Sequence, residues 1–339
     1  MTNVTKNPNE KLITDYTDGS LYFNRRPIRQ QEVSENAVPS YPIFAMAKGE
    51  ETIVYDVRKF SHLSQQRLID GLNSGIITNE DKIILSLIAT FSAVAITTKM
   101  VTELLTLMGN TSDDLRKKVD SSVHRLWRYA LVDFYHYKDI ESEKQCFTRM
   151  IALTPTGFRV VKSMGLQTFF YNAIEFSSRT VAEHKRNAAG AQCLVAWIQH
   201  FPLQSFSLRR NVNFLDENKE AIVRPTVTIV AGEGDRTETL YLEAVRRNAG
   251  YEVELLNKMR RYELVSYYME QAHNDKPTII IVAEDQEHSR DIFEYLTAGG
   301  IKAEELVFTH DLKVASDQFY TAFYCYNEGG MVPLQLKRK

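Results

Sequence analysis

Two groups of residues in this sequence have the types and the spacing to do chemistry. The first is acidic with one lysine and comprises Asp235, Glu243 and Glu254, followed by Lys258. A metal-dependent nuclease needs two or three carboxylates at adjacent strand ends to hold a hard divalent cation, with a lysine near the attacking water. These residues are therefore candidates for Mg²⁺-assisted cleavage of a phosphodiester. The alternative is that they are solvated surface charges, and on spacing alone that alternative is favoured.

The second group is basic and lies on one predicted helix. Apolar residues recur there at spacings of four, four, three and four, which predicts a buried stripe formed by Leu115, Val119, Val123, Leu126 and Ala130. The opposite face is polar, and past the first turn only Asp120 opposes its positive charge. Such side chains can neutralise phosphates and reach guanine edges. The predicted DNA contacts on this helix are Arg116, Lys117, Lys118, Ser121, His124, Arg125 and Arg128. Those on the hairpin that follows are Lys138, Lys144 and Arg149. The alternative is a solvated helix face.

The elements that would position this basic face lie between residues 78 and 165. Asn79, Glu80 and Asp81 open a first helix, Thr97 or Thr98 caps a second, and the basic helix is the third. Two β-rich stretches and a closing helix follow, at residues 131–138, 147–153 and 158–164. This order is typical of a winged helix-turn-helix, in which the third helix enters the major groove and the hairpin lies along the DNA backbone.

The segments on either side of this domain are predicted to differ from each other. Residues 1–77 are interpreted as an N-terminal arm, broken by four prolines before residue 43, with a small strand at 51–58 and a helix at 61–72. Residues 166–339 are predicted to form an α/β domain, because continuous apolar strands at 225–231 and 277–283 alternate with helical stretches.

The C-terminal domain leaves one choice of topology open. Residues 238–245 fit either a strand or the helix of a crossover. If they are helical and residues 251–256 form a strand, the arrangement is Rossmann-like or Toprim-like, with Glu233, Glu284 and Asp285 as its loose acidic set. The turn at 232–235 has no third glycine and no P-loop lysine, so it predicts a plain turn rather than a phosphate-binding loop.

Composition excludes several classes of protein. The 339 residues are 44% apolar and 25% charged with a formal net charge of −2, so a DNA-binding surface would have to be a local patch. Cys146, Cys193 and Cys325 are too far apart for a cysteine zinc site or a disulfide framework, which favours a reducing cytoplasm. The longest apolar run, residues 83–96, is shorter than the roughly 20 residues of a membrane span, and the N-terminus carries no secretory signal.

Several blocks of the sequence carry a resemblance to a known family. They are SSVHRLWRYALVDFYHYK with RMIALTPTGFRVV, AEHKRNAAG around His184, PTVTIVAGEGDRTETLYLEAVRRNAGYEVELLNKMRRYELV, and PTIIIVAEDQEHSRDIFEYL. Through these blocks residues 83–314 resemble the replication-relaxation family of plasmid and integrative-conjugative-element proteins, which includes MobC-like mobilisation proteins. The resemblance implies a winged helix followed by a restriction-endonuclease-like core.

Compared residue by residue, the resemblance to the nuclease core is partial. Pro225 matches the family's strand start, but Thr226 stands where the family has an aspartate. Glu243 matches the strand glutamate, but Val245 stands where the second carboxylate would be. The helix positions are matched by Lys258 and Tyr262. A single glutamate holds Mg²⁺ only weakly, so the resemblance implies an inactive nuclease scaffold.

The sequence thus predicts an α+β protein in which a winged helix-turn-helix precedes the nuclease-like α/β domain. The expected function is that of a DNA-binding accessory protein of a plasmid or other mobile element, acting in replication, mobilisation or its control. Its expected partners are double-stranded DNA and either a second copy of the chain or other mobile-element proteins, with no cofactor, no metal site and no membrane contact. Two alternatives remain: a metal-dependent nicking enzyme using Glu243, Lys258 and Asp235 with Mg²⁺, and a non-catalytic scaffold that binds proteins.

Overall fold

A computed structural model of the chain describes residues 51–56, 65–139, 149–164, 171–216, 219–233, 236–271, 275–315, 319–327 and 330–334. These residues form two compact units that divide between Val181 and Ala182. Each unit contains helices and a β-sheet, which confirms the predicted α+β class. Within the described ranges, no helix combines the length and the hydropathy needed to cross a bilayer.

The first unit contains the predicted helices and hairpin, with local signals at the helix starts. In chain order its elements are β1 (Glu51–Tyr55), α1 (Gln65–Asn73), α2 (Asn79–Thr90), β2 (Ile96–Thr97), α3 (Thr98–Leu107), α4 (Leu115–Arg128), β3 (Val132–Asp139), β4 (Met150–Leu153), α5 (Pro155–Ser163) and α6 (Ala173–Ser177). The hydroxyls of Thr78, Thr97 and Thr154 each accept a backbone N–H in the first turn of a helix. Ala130, predicted to extend the buried stripe of α4, lies beyond its end with a φ of 55°.

The sheet of the first unit has the strand order β1-β3-β4-β2, and every neighbouring pair is antiparallel. β1 pairs with β3 along its whole length, from Glu51 opposite Asp139 to Tyr55 opposite Tyr135. This corrects the prediction that the strand near residue 51 belongs to a separate N-terminal segment. The pairing has a physical reason, because β1 covers an edge of β3 whose backbone groups would otherwise lack partners. Residues 1–50 lie outside the described part of the chain.

The first unit also extends further than residue 165, where the sequence predicts a domain boundary. The hydroxyl of Tyr171 donates to the carbonyl oxygen of Leu153 at 2.8 Å. The guanidinium of Arg179 donates to the carbonyl oxygen of Ala93 at 2.5 Å. These contacts tie residues 171–181 to the helices and hairpin that precede them, so the unit ends at Val181.

Gly157, near the start of α5, allows that helix to lie directly against the chain before β3. A Cβ at this position would overlap the carbonyl oxygen of Leu131. We expect Gly157→Ala to lower the free energy of unfolding of the first unit by about 1–3 kcal/mol, because backbone must move to relieve the overlap. The measurement is urea unfolding followed by Trp127 fluorescence in a Trp197→Phe background. Arg159→Ala, at an exposed position on the same helix, is the control, and an equal loss in both variants would contradict the steric explanation.

The second unit is built around a larger sheet. Its elements are α7 (Val181–His200), β5 (Leu203–Leu208), β6 (Val212–Asp216), β7 (Lys219–Val223), β8 (Val227–Glu233), β9 (Arg236–Ala244), α8 (Tyr251–Gln271), β10 (Thr278–Ala283), α9 (Gln286–Ala298), β11 (Val307–His310), α10 (Asp311–Val314), β12 (Phe323–Asn327) and β13 (Gly330–Leu334). The strands β5, β6, β7, β12 and β13 have no counterpart among the predicted elements. β6 and β7 form a separate antiparallel pair.

The strand order of the large sheet is β13-β12-β11-β10-β9-β8-β5. β9, β10 and β11 are parallel neighbours linked through α8 and α9, and the other pairs are antiparallel. β9 is paired on both sides, so the helical interpretation of residues 238–245 is wrong. The Rossmann-like or Toprim-like alternative is wrong with it, because residues 251–256 begin α8 rather than a strand.

The core of the second unit fixes the rotation of α8. Met259 and Tyr262 of this helix are buried in one cluster with Ile281 of β10 and Phe308 of β11. Burial of these side chains is the main favourable contribution to the packing of helix on sheet. Lys258 is adjacent to Met259 in the chain, so the same packing determines where its ammonium group lies.

Candidate functional site

The exposed face of α4 is the first candidate site. Its buried side chains are Leu115, Val119, Ser122, Val123 and Leu126. A helix turns 100° per residue, so four exposed side chains form one row on the opposite side: Lys117, Ser121, His124 and Arg128. Arg116 and Lys118 are exposed beside this row. We call Arg116, Lys117, Lys118, Ser121, His124 and Arg128 the α4 face.

The cations of the α4 face differ in their partners. Arg116, Lys117 and Arg128 form no ion pair with any described carboxylate, whereas Lys118 pairs with Asp114 at 3.0 Å. Exposed pairs of this kind contribute only about 0–1 kcal/mol. Lys118 is therefore available to exchange Asp114 for another anion at small cost.

Arg125 has a different role from its neighbours, because it binds a carboxylate inside the unit. Its Nε and Nη2 donate to the two oxygens of Asp81 at 3.0 and 2.8 Å, and Nη2 also donates to Ser122. Burial alone raises the pKa of Asp81, but the hydrogen bonds from Arg125, Ser122 and the Thr78 backbone hold it below its usual range. The structure thus places this predicted DNA contact in a bidentate pair that joins α4 to α2.

Arg149 lies close to the α4 face at the start of the second hairpin strand. Its guanidinium is 4.7 Å above the ring of Phe134, and its Nη1 is 3.1 Å from His124 Nε2. Its Nε is 3.5 Å from Asp56, which also lies 3.6 Å from His136. The structure therefore brings together two predicted contacts, His124 and Arg149, that are 25 residues apart in the chain. Of the other predicted hairpin contacts, Lys138 has only its backbone described and Lys144 lies outside the described residues.

The second candidate site surrounds Glu243 on β9, which is buried. Lys258 Nζ lies 2.6 Å from Oε1 of this carboxylate, and the hydroxyl of Tyr262 donates to Oε2 at 3.1 Å. Thr226 Oγ1 is 3.5 Å from Oε1 and accepts the N–H of Ala244 at 3.2 Å. Burial, and then the charge of Glu243, raises the pKa of Tyr262 well above its usual value. The structure thus gathers residues that the sequence placed on two strands and a helix.

The residues around Glu243 do not fit a magnesium ion. Both carboxylate oxygens already accept hydrogen bonds, one from the ammonium group that lies where a cation would bind. The neighbouring positions, Thr226 and Val245, supply no carboxylate, and Glu254 pairs with Arg186 at 3.0 Å. Asp235 lies outside the described residues. Across the described ranges no three His, Cys, Asp or Glu side chains are grouped to hold a metal ion. Mg²⁺ requires several oxygen ligands, which the side chains around Glu243 do not supply.

A third polar cluster, which the sequence patterns did not predict, lies at the carboxyl ends of the parallel strands. Arg246 follows β9 and is fully buried, with Nη2 2.7 Å from Asp311 Oδ1 after β11. Arg247 binds Glu284 and Asp285, which follow β10. The order of the strands could have indicated this cluster, because the carboxyl ends of parallel strands meet at one edge of a sheet. His184, which the family resemblance singled out, is buried on α7.

Two buried histidines at this edge have lowered pKa values. Burial, and then the charges of Arg247 and Arg246, lowers the pKa of His288 to about 3. Burial, and then Lys313, lowers the pKa of His310 to about 4. In the unfolded chain both rings bind a proton near pH 6.5. Asp311 behaves oppositely, because burial raises its pKa to about 6 from 3.8, so the folded state takes up that proton first.

We expect the second unit to lose stability as the pH falls below 6.5. Each histidine contributes a loss of about 2 kcal/mol between pH 7 and pH 5, and Asp311 offsets about 1 kcal/mol, which leaves a net loss of about 2–3 kcal/mol. The measurement is urea unfolding at pH 7, 6 and 5, followed by Trp197 fluorescence in a Trp127→Phe background. His288→Gln should reduce the pH dependence by about 2 kcal/mol over this range. A free energy of unfolding that is constant from pH 7 to 5 would contradict the prediction.

Comparisons with known proteins add little to this geometry. No family model matches the chain, and no curated protein matches it. Among solved structures, a weak resemblance is to the restriction endonuclease FokI bound to DNA, with 7% sequence identity and a TM-score of 0.23. The match covers 78% of this chain and about half, 54%, of that chain. A TM-score of this size does not assign a fold, so the class stated for the protein remains the α+β class.

Proposed function

We propose that the first unit is a winged helix-turn-helix that binds double-stranded DNA through the α4 face. The observation that carries this proposal is the set of exposed cations on α4 that no described carboxylate neutralises, Arg116, Lys117 and Arg128. The order α2-β2-α3-α4-β3-β4, in which both hairpin strands and β2 share a sheet, supports it. In that arrangement α4 corresponds to the helix that enters the major groove.

The chemistry of the α4 face suits a polyanion. Each cation that neutralises a DNA phosphate releases condensed counterions, which strengthens binding at low salt. Ser121 lies in the same row and can donate or accept a hydrogen bond at a base edge. The charge of −2 on the whole chain does not oppose this assignment, because partly screened charges act over about 10 Å at ordinary ionic strength.

The second unit, in this proposal, is a non-catalytic nuclease-like domain that serves in self-association or contacts with other proteins. Glu243 supports that view, because its carboxylate is bound by Lys258 and Tyr262. The protein would then act as a DNA-binding accessory protein of a plasmid or other mobile element, in replication, mobilisation or its control, within the cytoplasm.

The proposal is tested by fluorescence anisotropy of a labelled random-sequence duplex at several salt concentrations. We expect Lys117→Ala/Arg128→Ala to weaken binding by about tenfold or more at low salt, and to reduce the slope of log affinity against log salt by about two. Arg260→Ala/Arg261→Ala removes two exposed cations from α8 and is the matched control, expected to leave affinity unchanged. Circular dichroism checks that each variant is folded.

Two results would contradict the proposal. The absence of binding at low salt would favour the alternative of a scaffold that binds proteins. Equal DNA affinity of the α4 variant and wild type would show that DNA does not bind at the α4 face. Incubation of supercoiled plasmid with Mg²⁺ or Mn²⁺ tests the nicking alternative. We expect the plasmid to remain intact. If the wild-type protein nicks the plasmid and Glu243→Gln abolishes the nicking, the protein is an enzyme.

A further inference from the structure

We propose that His124 and Arg149 together bind one DNA phosphate, and that this binding takes up one proton from solvent onto His124. The inference rests on the proposed function and adds a specific phosphate site with a defined protonation step. The site is formed by one side chain from α4 and one from the hairpin, which lie in contact.

The hydrogen bond between the two side chains defines the protonation of the free site. A guanidinium group can only donate, so His124 Nε2, 3.1 Å from Arg149 Nη1, must accept. An accepting Nε2 carries no proton. The ring is therefore neutral in the free protein, with its proton on Nδ1.

The surroundings of His124 keep the free ring neutral. It packs edge-on against Trp127 and Phe134, with ring centroids 6.2 and 5.3 Å away. The charged groups that face it are Arg128 and Asp120 on α4, Arg149 at the hairpin, and Asp56 after β1. Partial burial, and then Arg149 and Arg128, lowers the pKa of the ring despite the two carboxylates.

A phosphate changes this balance. When a phosphodiester oxygen approaches, Arg149 can donate to it instead of to His124 Nε2. The released Nε2 can then bind a proton from solvent and donate to the same phosphate, whose negative charge offsets the repulsion between the two cations. No covalent bond forms or breaks, and the only net exchange with solvent is one proton gained and counterions released.

The sign of the pH dependence follows from this exchange. The pKa of His124 is low in the free protein and is raised by the phosphate in the complex, so binding takes up a proton between those two values. Affinity for DNA should therefore rise as the pH falls through that window. Above the window, the titration of His124 should not change the affinity. Between pH 7.5 and pH 5.5 we expect a gain of several-fold, up to about tenfold.

The test is the affinity of the full chain for the same labelled duplex between pH 8 and pH 5.5 at constant ionic strength. Wild type should bind more tightly at lower pH, and His124→Gln, which cannot gain the charge, should lose that dependence. Lys117→Ala is the matched control on the same face, expected to bind more weakly at every pH with the slope of wild type. NMR titration of the His124 ring should show its pKa rising when duplex is added.

The outcomes separate this inference from the proposed function. If wild type and His124→Gln bind DNA with the same pH dependence, the phosphate site is wrong and the DNA-binding function stands. If no duplex binds at any pH, both are wrong. Inorganic phosphate in place of the duplex distinguishes a free anion from a DNA phosphate. An equal rise in the His124 pKa with inorganic phosphate alone would overturn the assignment to DNA.

Discussion

Arg246→Met is expected to lower the free energy of unfolding of the second unit by about 3–5 kcal/mol, because it leaves a buried carboxylate without its partner. Arg246 and Asp311 are 0% and 2% exposed, and they are joined by a hydrogen bond of 2.7 Å. Arg246 also donates to the carbonyl oxygen of Val245 at 2.7 Å, at the end of β9. The side chain thus satisfies both a charge and a carbonyl group in the interior.

The measurement is urea unfolding in a Trp127→Phe background, in which Trp197 reports on the second unit. Arg246→Met/Asp311→Leu is the informative control, because removing both charges leaves no unpaired ion. We expect this double variant to recover most of the stability lost by the single variant. A loss below about 1 kcal/mol in Arg246→Met would show that water replaces the guanidinium beside Asp311, and would contradict the prediction.

Lys258→Met is the second change with a large expected effect, a loss of about 2–3 kcal/mol. It removes the ammonium group from Glu243, whose side chain is 4% exposed, and leaves the carboxylate with the hydroxyl of Tyr262 and a long contact to Thr226. The expected loss is smaller than for Arg246 because Lys258 is itself 28% exposed, so water can partly replace it.

The experiment follows unfolding of Lys258→Met by Trp197 fluorescence at pH 7. Lys258→Met/Glu243→Gln removes the buried charge and should restore most of the stability. If the single variant instead gains affinity for Mn²⁺, measured by calorimetry, with no loss of stability, Lys258 is a replaceable occupant of a metal site. That result would contradict the conclusion that the site does not fit a metal ion.

Several features were predictable because their physical causes lie close together in the chain. The stripe through Val119, Val123 and Leu126 makes α4 amphipathic, and its opposite face is exposed as predicted. Thr97 accepts a hydrogen bond from Met100 and starts α3. The continuous apolar run of β10 forms a buried strand between two parallel neighbours. In each case periodicity or capping among residues a few positions apart decides the element.

Residues 238–245 show where local patterns fail. Leu240 and Leu242 alternate as in a strand, but Leu240 and Ala244 are also spaced as on a helix face, so the pattern fits both. The ladder to β8 on one side and to β10 on the other decides for a strand. β1 is another such case, because its partner β3 lies about 80 residues further along the chain and no local rule selects it.

The sequence by itself determined the α+β class, the amphipathic α4 and the types of residue on its exposed face, because these follow from composition and short-range periodicity. The tertiary structure decided which charges neutralise one another. Arg125 binds Asp81 across 44 residues, Lys258 binds Glu243 across 15, and Arg246 binds Asp311 across 65. Charge pairing depends on distance in space and on burial, and a one-dimensional pattern specifies neither until the chain is folded.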